Sequence, residues 1–210
     1  MMKRKLGLAC MILGVGLVLG AACLLMLNQR ENTLAKESSE GVMTALVQQI
    51  QENAKETLPE SELPELYKPV ELLTEEEKRM TEVMINGMPF IGYLSIPKLS
   101  LELPIISNWS SPLLRAAPCR YAGTVLGEDL VLMAHNYDSH FGKISQLEEG
   151  DTLTFTDMDG NITCYEVVGK DILEPTAVEE MTAGVFDLTL FTCTYGGKQR
   201  HTVYCDKIDS

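Results

Sequence analysis

The residues of this chain best suited to nucleophilic or proton-transfer chemistry are six cysteines and three histidines, His135, His140 and His201. Cys10 and Cys23 lie in a long apolar stretch, which leaves Cys119, Cys164, Cys193 and Cys205. Cys193 ends the β-branched and apolar run Leu188-Thr-Leu-Phe-Thr192, and Arg200 follows the turn-prone segment Thr194-Tyr-Gly-Gly-Lys-Gln199. His135 ends a second apolar run, Asp129-Leu-Val-Leu-Met-Ala134. A thiol becomes a strong nucleophile once deprotonated, and nearby cations favour the thiolate. An imidazole can give a proton to a departing amine. A guanidinium is permanently charged and can stabilise an oxyanion or orient a carbonyl. Cys193, His135 and Arg200 together would perform acyl transfer through a thioester. Residue types alone fit a structural thiol, a surface imidazole and a surface guanidinium as well, so the elements that carry them decide.

Those elements are short strands. Residues 93–96, 101–106, 130–134, 171–173, 188–192 and 202–207 read as strands, and residues 152–156 alternate Leu153 and Phe155 with threonines. Tyr165 and Val167 alternate after the Asp159-Gly160 turn, which predicts a hairpin. Many short strands with little helix between them mean an all-β barrel or sandwich. If residues 188–192 and the strand opening at Arg200 form an antiparallel hairpin, Cys193 and Arg200 face each other across its mouth. If the strand ending at Ala134 neighbours the one ending at Thr192 in parallel, His135 joins them at one rim.

The N-terminal part differs. Lys3, Arg4 and Lys5 precede residues 6–27, a run of 22 residues without a charge. That length suits a membrane-crossing helix with residues 1–5 on the cytoplasmic side and the remainder outside. A cleaved secretory signal has a shorter apolar core and a small-residue cut site. A lipoprotein signal needs Leu three residues before the cysteine, where Gly20 stands before Cys23. An uncleaved anchor fits best. Residues 31–57 carry Leu34, Val42, Leu46 and Ile50 at roughly helical spacing and read as a helical stalk. Residues 58–70 hold Pro59, Pro64 and Pro69 and read as an extended linker, and Thr74 with Glu77 reads as a capping box on a short helix over 74–84. These segments look like a spacer. The predicted division is thus 1–5, 6–27, 28–87 and a catalytic domain over 88–210.

A net charge of −13 argues against a nucleic-acid partner. Residues 31–80 hold twelve Glu against five Lys or Arg, so much of the acidity belongs to the stalk. His135 and His140 are five residues apart, but no third and fourth ligand completes a metal site. His201 adjoins Arg200 and reads as a strand-lining residue. Cys205 shares a face with Val203 and reads as a buried free thiol, Cys164 as a more exposed one, and a Cys119–Cys205 bridge stays open.

The local sequences resemble one family. Thr189-Leu-Phe-Thr-Cys193 with Arg200 seven residues on is similar to the sortase signature Thr-Leu-x-Thr-Cys with a downstream Arg. Ala134-His-Asn136 with Phe141-Gly142, Leu147 and Gly150-Asp151 resembles the segment carrying the sortase histidine. Leu94-Ser-Ile-Pro-Lys-Leu99, Leu103-Pro-Ile105 and Arg120-Tyr-Ala-Gly-Thr124 resemble other parts of that domain, and the likeness spans roughly residues 88–208. It implies a closed β-barrel of about eight strands with short helices. It implies Cys193 as the nucleophile that cleaves a C-terminal sorting signal similar to Leu-Pro-x-Thr-Gly on a secreted protein. His135 would protonate the leaving amine, Arg200 would support the oxyanion, and Thr192 would help to bind substrate. An amine from a cell-wall peptide bridge or a pilin lysine would resolve the thioester, in a Gram-positive envelope, with no metal or organic cofactor. The sequence departs from the family at Ala134, where Gly is usual. It lacks the Asp-Pro-aromatic lid motif before residue 90, and its short stretch over 175–187 is unlike the long insertion of some class B members. The motifs are most similar to class B or class D. Hydrolysis by the same thiol, or a non-catalytic wall-binding barrel, are the rival functions.

Overall fold

The computed structural model describes residues 2–56, 74 and 78–208. After a long helix α1 (Met2–Glu56) come β1 (Val83–Ile85), β2 (Met88–Ile96), β3 (Leu101–Ile106), β4 (Cys119–Ala122), β5 (Leu130–Ala134), β6 (Thr152–Asp157), β7 (Ile162–Leu173), β8 (Leu188–Cys193) and β9 (Arg200–Lys207). Short helices α2 (Ser111–Ala116) and α3 (Val178–Thr182) lie between strands. The strands bond in the order β1-β2-β3-β4-β5-β8-β9-β7-β6, and β6 pairs back onto β2. β2 to β9 therefore form a closed eight-stranded barrel, with β1 as a short ribbon on β2.

Closure needs a backbone device at β2, which pairs with β3 on one side and β6 on the other. The device is Gly92, at φ 142°, beside a register shift between Phe90 and Gly92. A Cβ there would run into the Thr156 carbonyl of β6, so only glycine lets the two strands meet. Side chains then alternate between an inner and an outer layer. Leu94, Ile96, Leu103, Ile105, Leu130, Leu132, Leu153, Phe155, Leu188, Leu190 and Val203 fill the interior.

Leu101–Ile106 and Leu130–Ala134 are strands over the residues their patterns predict. Three features differ from expectation. The helix expected over 74–84 does not extend through its C-terminal part, because Val83–Ile85 turn back at Asn86-Gly87 and pair with Met88–Phe90. Residues 75–77 and the linker over 58–70 lie outside the described residues. The short strand β4 carries no strong alternation and lies outside the predicted strands. The stretches around 165–167 and 171–173 belong to one strand, β7, interrupted only by a register shift between Val167 and Gly169.

The stalk is helical but does not stand off as a spacer. Ala35, Ser39, Val42, Leu46 and Ile50 form one buried stripe at spacings of four, three, four and four along α1. Val42, Leu46 and Ile50 of that stripe pack on Phe90, Ile106, Leu114 and Cys119, outside the barrel. Burying Val, Leu or Ile contributes about 1.5–3 kcal/mol each before losses. Leu34, expected on this face, is instead exposed. Small and polar residues complete the seam. Ser39 Oγ donates to the Ala116 carbonyl at 3.1 Å, Ser139 N donates to Asn32 Oδ1 at 3.1 Å, and Asn53 Nδ2 donates to the Met158 carbonyl at 2.8 Å. Further toward the N-terminus the apolar residues of α1 are exposed, and that part of the helix is long and apolar enough to cross a membrane.

Candidate active site

Alternation along β8 aims its residues. Leu188 and Leu190 point into the core, whereas Phe191 packs in a separate cluster outside the barrel. Cys193 follows the same parity as Phe191 and so belongs to the outer face, at the strand's end. Its antiparallel neighbour β9 sets Arg200 directly opposite it, and directly opposed residues share a face. On the other side β5 runs parallel to β8 with Ala134 opposite Thr192. His135 is the next residue, one step beyond that pair, as Cys193 is one step beyond Thr192. The sulfur, the imidazole and the guanidinium thus belong to three adjacent strand ends at one rim, and Cys193, His135 and Arg200 are all half-buried.

Local bonds hold this rim. Thr192 is buried, and its Oγ1 donates to the Ala134 carbonyl at 2.8 Å, clamping β8 to β5 one residue below the thiol and the imidazole. The turn after Cys193 closes through Thr194 N to the Gln199 carbonyl at 2.9 Å and Gly197 N to the Thr194 carbonyl at 2.8 Å. Arg200 Nη1 donates to the carbonyls of Gly197 and Gln199 at 3.2 and 3.1 Å, which fixes the guanidinium to that turn.

The His135 ring lies 5.0 Å from the ring of Tyr137. Desolvation holds its pKa below the ordinary imidazole value, with Arg115 acting in the same direction and Glu31 of α1 opposing. An imidazolium of lowered pKa gives up its proton more readily to a leaving amine. His140 is a different case. It is fully buried beneath α1, where its Nε2 meets Ser39 Oγ at 3.3 Å. Burial, then the neighbouring His135, push its pKa down to about 4. It is a neutral packing residue under the helix. Cys205 sits in the barrel interior and Cys119 outside it under α1, both as free thiols, so the bridge left open by the sequence does not form. Burial raises both thiols, that of Cys119 to about 12.

Comparison with known proteins accords with this geometry. The sequence matches the Sortase domain family over residues 94–208, more than half of the chain. The chain belongs to the sortase family. Sortase C1 of Streptococcus suis is 30% identical, with a TM-score of 0.51 over 58% of this chain and 74% of that one. Streptococcus pneumoniae sortase C (21% identity, TM-score 0.56, 83% and 97% covered) and a lid mutant of Corynebacterium diphtheriae sortase A (19%, 0.54, 82% and 96%) share the fold. A comparison with curated proteins gave no match. These neighbours are sortases of the C and A types and lend no support to the class B or class D likeness of the motifs. Members of the family are cysteine transpeptidases.

Two further features flank Cys193. On the outer face next to Cys193, Phe191, Val131 and Met181 pack with Tyr121, Met133 and Leu173. Tyr121 meets Phe191 edge-on at 5.3 Å and stacks on Trp109 at 6.0 Å, Trp109 itself being half exposed. The alternation of β5 and β8 encoded this apolar floor, but β4, the source of Tyr121, escaped detection. At the rim, a cleft of about 320 Å³ is lined by Cys193, Tyr195, His201, Asn136, Tyr137, Asp138 and Gly142, and by Asn28, Gln29 and Asn32 of α1. The helix read as a stalk therefore forms one wall of the cavity that contains the thiol.

Proposed function

We propose that this sortase is a membrane-anchored transpeptidase whose catalytic set is Cys193, His135 and Arg200. The observation that carries the reading is strand register: Cys193 lies opposite Arg200, and His135 and Cys193 each follow one member of the Ala134–Thr192 pair. The Cys193 sulfur attacks the carbonyl of a sorting signal similar to Leu-Pro-x-Thr-Gly. The Arg200 guanidinium supports the negative charge that develops on the carbonyl oxygen. As the C–N bond breaks, His135 gives its proton to the departing amine, leaving a thioester. An amine of a cell-wall peptide bridge or a pilin lysine then attacks the thioester carbonyl. The C–S bond breaks, the sulfur leaves as thiolate and the amine's proton returns to His135. The apolar floor of Tyr121, Met133, Leu173, Met181 and Phe191 suits the Leu-Pro part of the signal. Thr192 acts by spacing the two strand ends. Residues 1–5 are cytoplasmic, 6–27 cross the membrane, and the domain that the rest of α1 docks on acts outside the cell.

The test is the full-length protein in lipid nanodiscs, given a sorting-signal peptide with and without an added primary amine, and its products resolved by mass spectrometry. Cleavage and amine transfer by the wild type, both lost in Cys193→Ala, are the expected results. Full activity in Cys193→Ala would end the proposal, water as the sole acceptor would make the enzyme a peptidase, and no adduct at Cys193 from a thiol-reactive substrate mimic would make it a binder.

A further inference from the structure

The cleft at the rim is chemically unlike the outer face of the barrel. One side of Cys193 is an apolar floor, whereas the other is a mostly polar cleft in which Tyr137, Tyr195 and His201 stand with carboxamides and a carboxylate: Asn28, Gln29 and Asn32 of α1, and Asn136 and Asp138 of the loop after β5. Acyl transfer needs two such sides. The acyl chain stays bound while one amine leaves and another arrives, and both amines pass the same face of the reacting carbonyl. A peptide's apolar side chains belong on the floor. A primary amine, protonated in water, belongs among carbonyl oxygens and a carboxylate.

We infer that this cleft is the acceptor subsite and that α1 supplies one of its walls, with Asn28, Gln29 and Asp138 holding an acceptor amine beside the thioester. The inference rests on the transpeptidase reading given above and adds to it a site for the acceptor amine. Several features of the structure support this site. Asn32 is fixed to the loop after β5, since Ser139 N and Oγ both donate to its Oδ1, at 3.1 and 3.0 Å, and Ser139 Oγ also reaches the Asn32 carbonyl at 3.2 Å. The wall is thus held in place rather than merely near. Glu31 on the same turn acts electrostatically on His135, so this part of α1 is close enough to influence the imidazole. Asp138 also pairs with Lys143 at 3.6 Å, at an exposed position where water screens the pair and leaves the carboxylate accessible to a second cation.

The wall follows directly on the apolar run that ends at Leu27. At about 1.5 Å of rise per residue, Asn28 and Asn32 stand within roughly 8 Å of its last residue along the helix axis. An anchored enzyme therefore presents this cleft at the bilayer surface. The acceptor that fits best is a polar molecule bearing a primary amine and held close to the membrane. When that amine attacks, its nitrogen bonds to the thioester carbonyl, the sulfur is released as thiolate, and the proton it sheds passes to the neutral His135. An ammonium first loses a proton to water, so the wall concentrates the acceptor and His135 completes the transfer.

The experiment compares wild type with Gln29→Lys, Gln29→Glu and Asp138→Asn, all at exposed positions and all in full-length protein in nanodiscs. A sorting-signal peptide is cleaved in the presence of graded triglycine, and the ratio of transfer to hydrolysis is read by mass spectrometry. Losing a hydrogen bond to a charged group lowers occupancy about tenfold. Gln29→Lys and Asp138→Asn should therefore raise the KM for triglycine by about that factor, and Gln29→Glu should lower it. Equal KM values for triglycine in all four proteins would overturn the inference. So would changes confined to the kcat/KM of peptide cleavage, which would assign the cleft to the departing peptide. Absence of any cleavage by the wild type would instead refute the underlying transpeptidase reading.

Discussion

Cys193 and Cys205 lie on paired strands of one barrel and face opposite environments. Cys205 sits opposite Leu188 with its side chain in the core, where burial raises its pKa and no substrate reaches. Cys193, five residues along β8 from Leu188, has the opposite parity, ends its strand, and is half-buried between an apolar floor and a polar cleft. Composition does not separate these thiols, and neither does strand propensity. What separates them is the face each position turns to, Cys205 sharing that of Leu188 and Cys193 that of Phe191, and whether the strand goes on beyond it. The interior of a barrel makes sulfur inert, and its rim leaves sulfur available.

The sharpest way to break this contrast is to remove each sulfur in turn. Cys193→Ala should lower peptide cleavage by at least about 10³-fold, since it removes the proposed nucleophile. Cys205→Ala should retain turnover and lose only about 1–2 kcal/mol of stability to the small cavity, measured by denaturant melts. A Cys205 variant that is inactive while fully folded would show that the core thiol takes part in chemistry.

Arg200 tests the rim from the other side of the thiol. Arg200→Ala should lower kcat by about 10²–10³-fold, the range seen when a preorganised oxyanion donor is removed. Arg200→Lys should restore little, because Lys cannot reproduce the fork that Arg200 fixes on the carbonyls of Gly197 and Gln199. Equal kcat in wild type and Arg200→Ala would remove Arg200 from the mechanism.

The contrast also explains what could be read in advance. The runs at 101–106, 130–134 and 188–192 are strongly apolar or β-branched, and their extents agree with the strands they form. Motif spacing singled out Cys193, His135 and Arg200. The parallel neighbour relation of β5 and β8 was conditional, because it depends on a long crossover through β6, β7 and α3 that no local pattern specifies. The docking of α1 was half legible. Val42, Leu46 and Ile50 carried a helical signal, but Ala35 and Ser39 are small and Asn32 and Asn53 polar, so the full stripe did not stand out as apolar. Leu34 is the more apolar residue beside Ala35, yet it is Leu34 that is exposed and Ala35 that is buried. Short β4 was hidden because a central strand of four residues, two of them Cys119 and Arg120, offers too little alternation to notice.

His140 carries the core-and-rim contrast to an imidazole. Its native pKa is depressed to about 4, against 6.5 for an ordinary histidine, with Ser39 and Tyr137 beside it and His135 as its charged neighbour. Between those values the unfolded chain binds a proton that the native chain refuses, so stability falls as pH drops through 6.5 and levels off below about 4. The full loss is about 3 kcal/mol, at 1.36 kcal/mol per pH unit of difference. Denaturant melts between pH 7 and pH 4 should therefore be steeper in pH for wild type than for His140→Asn. Equal pH slopes in the two proteins would show that His140 is solvated in the native state and that α1 does not cover it.

The smallest expected effect is also the most direct measure of α1 at the rim. Arg115 lowers the pKa of His135 and Glu31 raises it, both from exposed positions where solvent screens them. Arg115→Gln should move the His135 titration to higher pH and Glu31→Gln to lower pH, and the double variant should come back toward wild type. Following the His135 ring by NMR reads this without reference to turnover, and added salt should shrink both displacements. Glu31 belongs to the helix and Arg115 to the body of the domain, so they separate two claims. A shift in Arg115→Gln with none in Glu31→Gln would mean that α1 stands away from the rim in solution, and the carboxamide wall of the cleft would go with it.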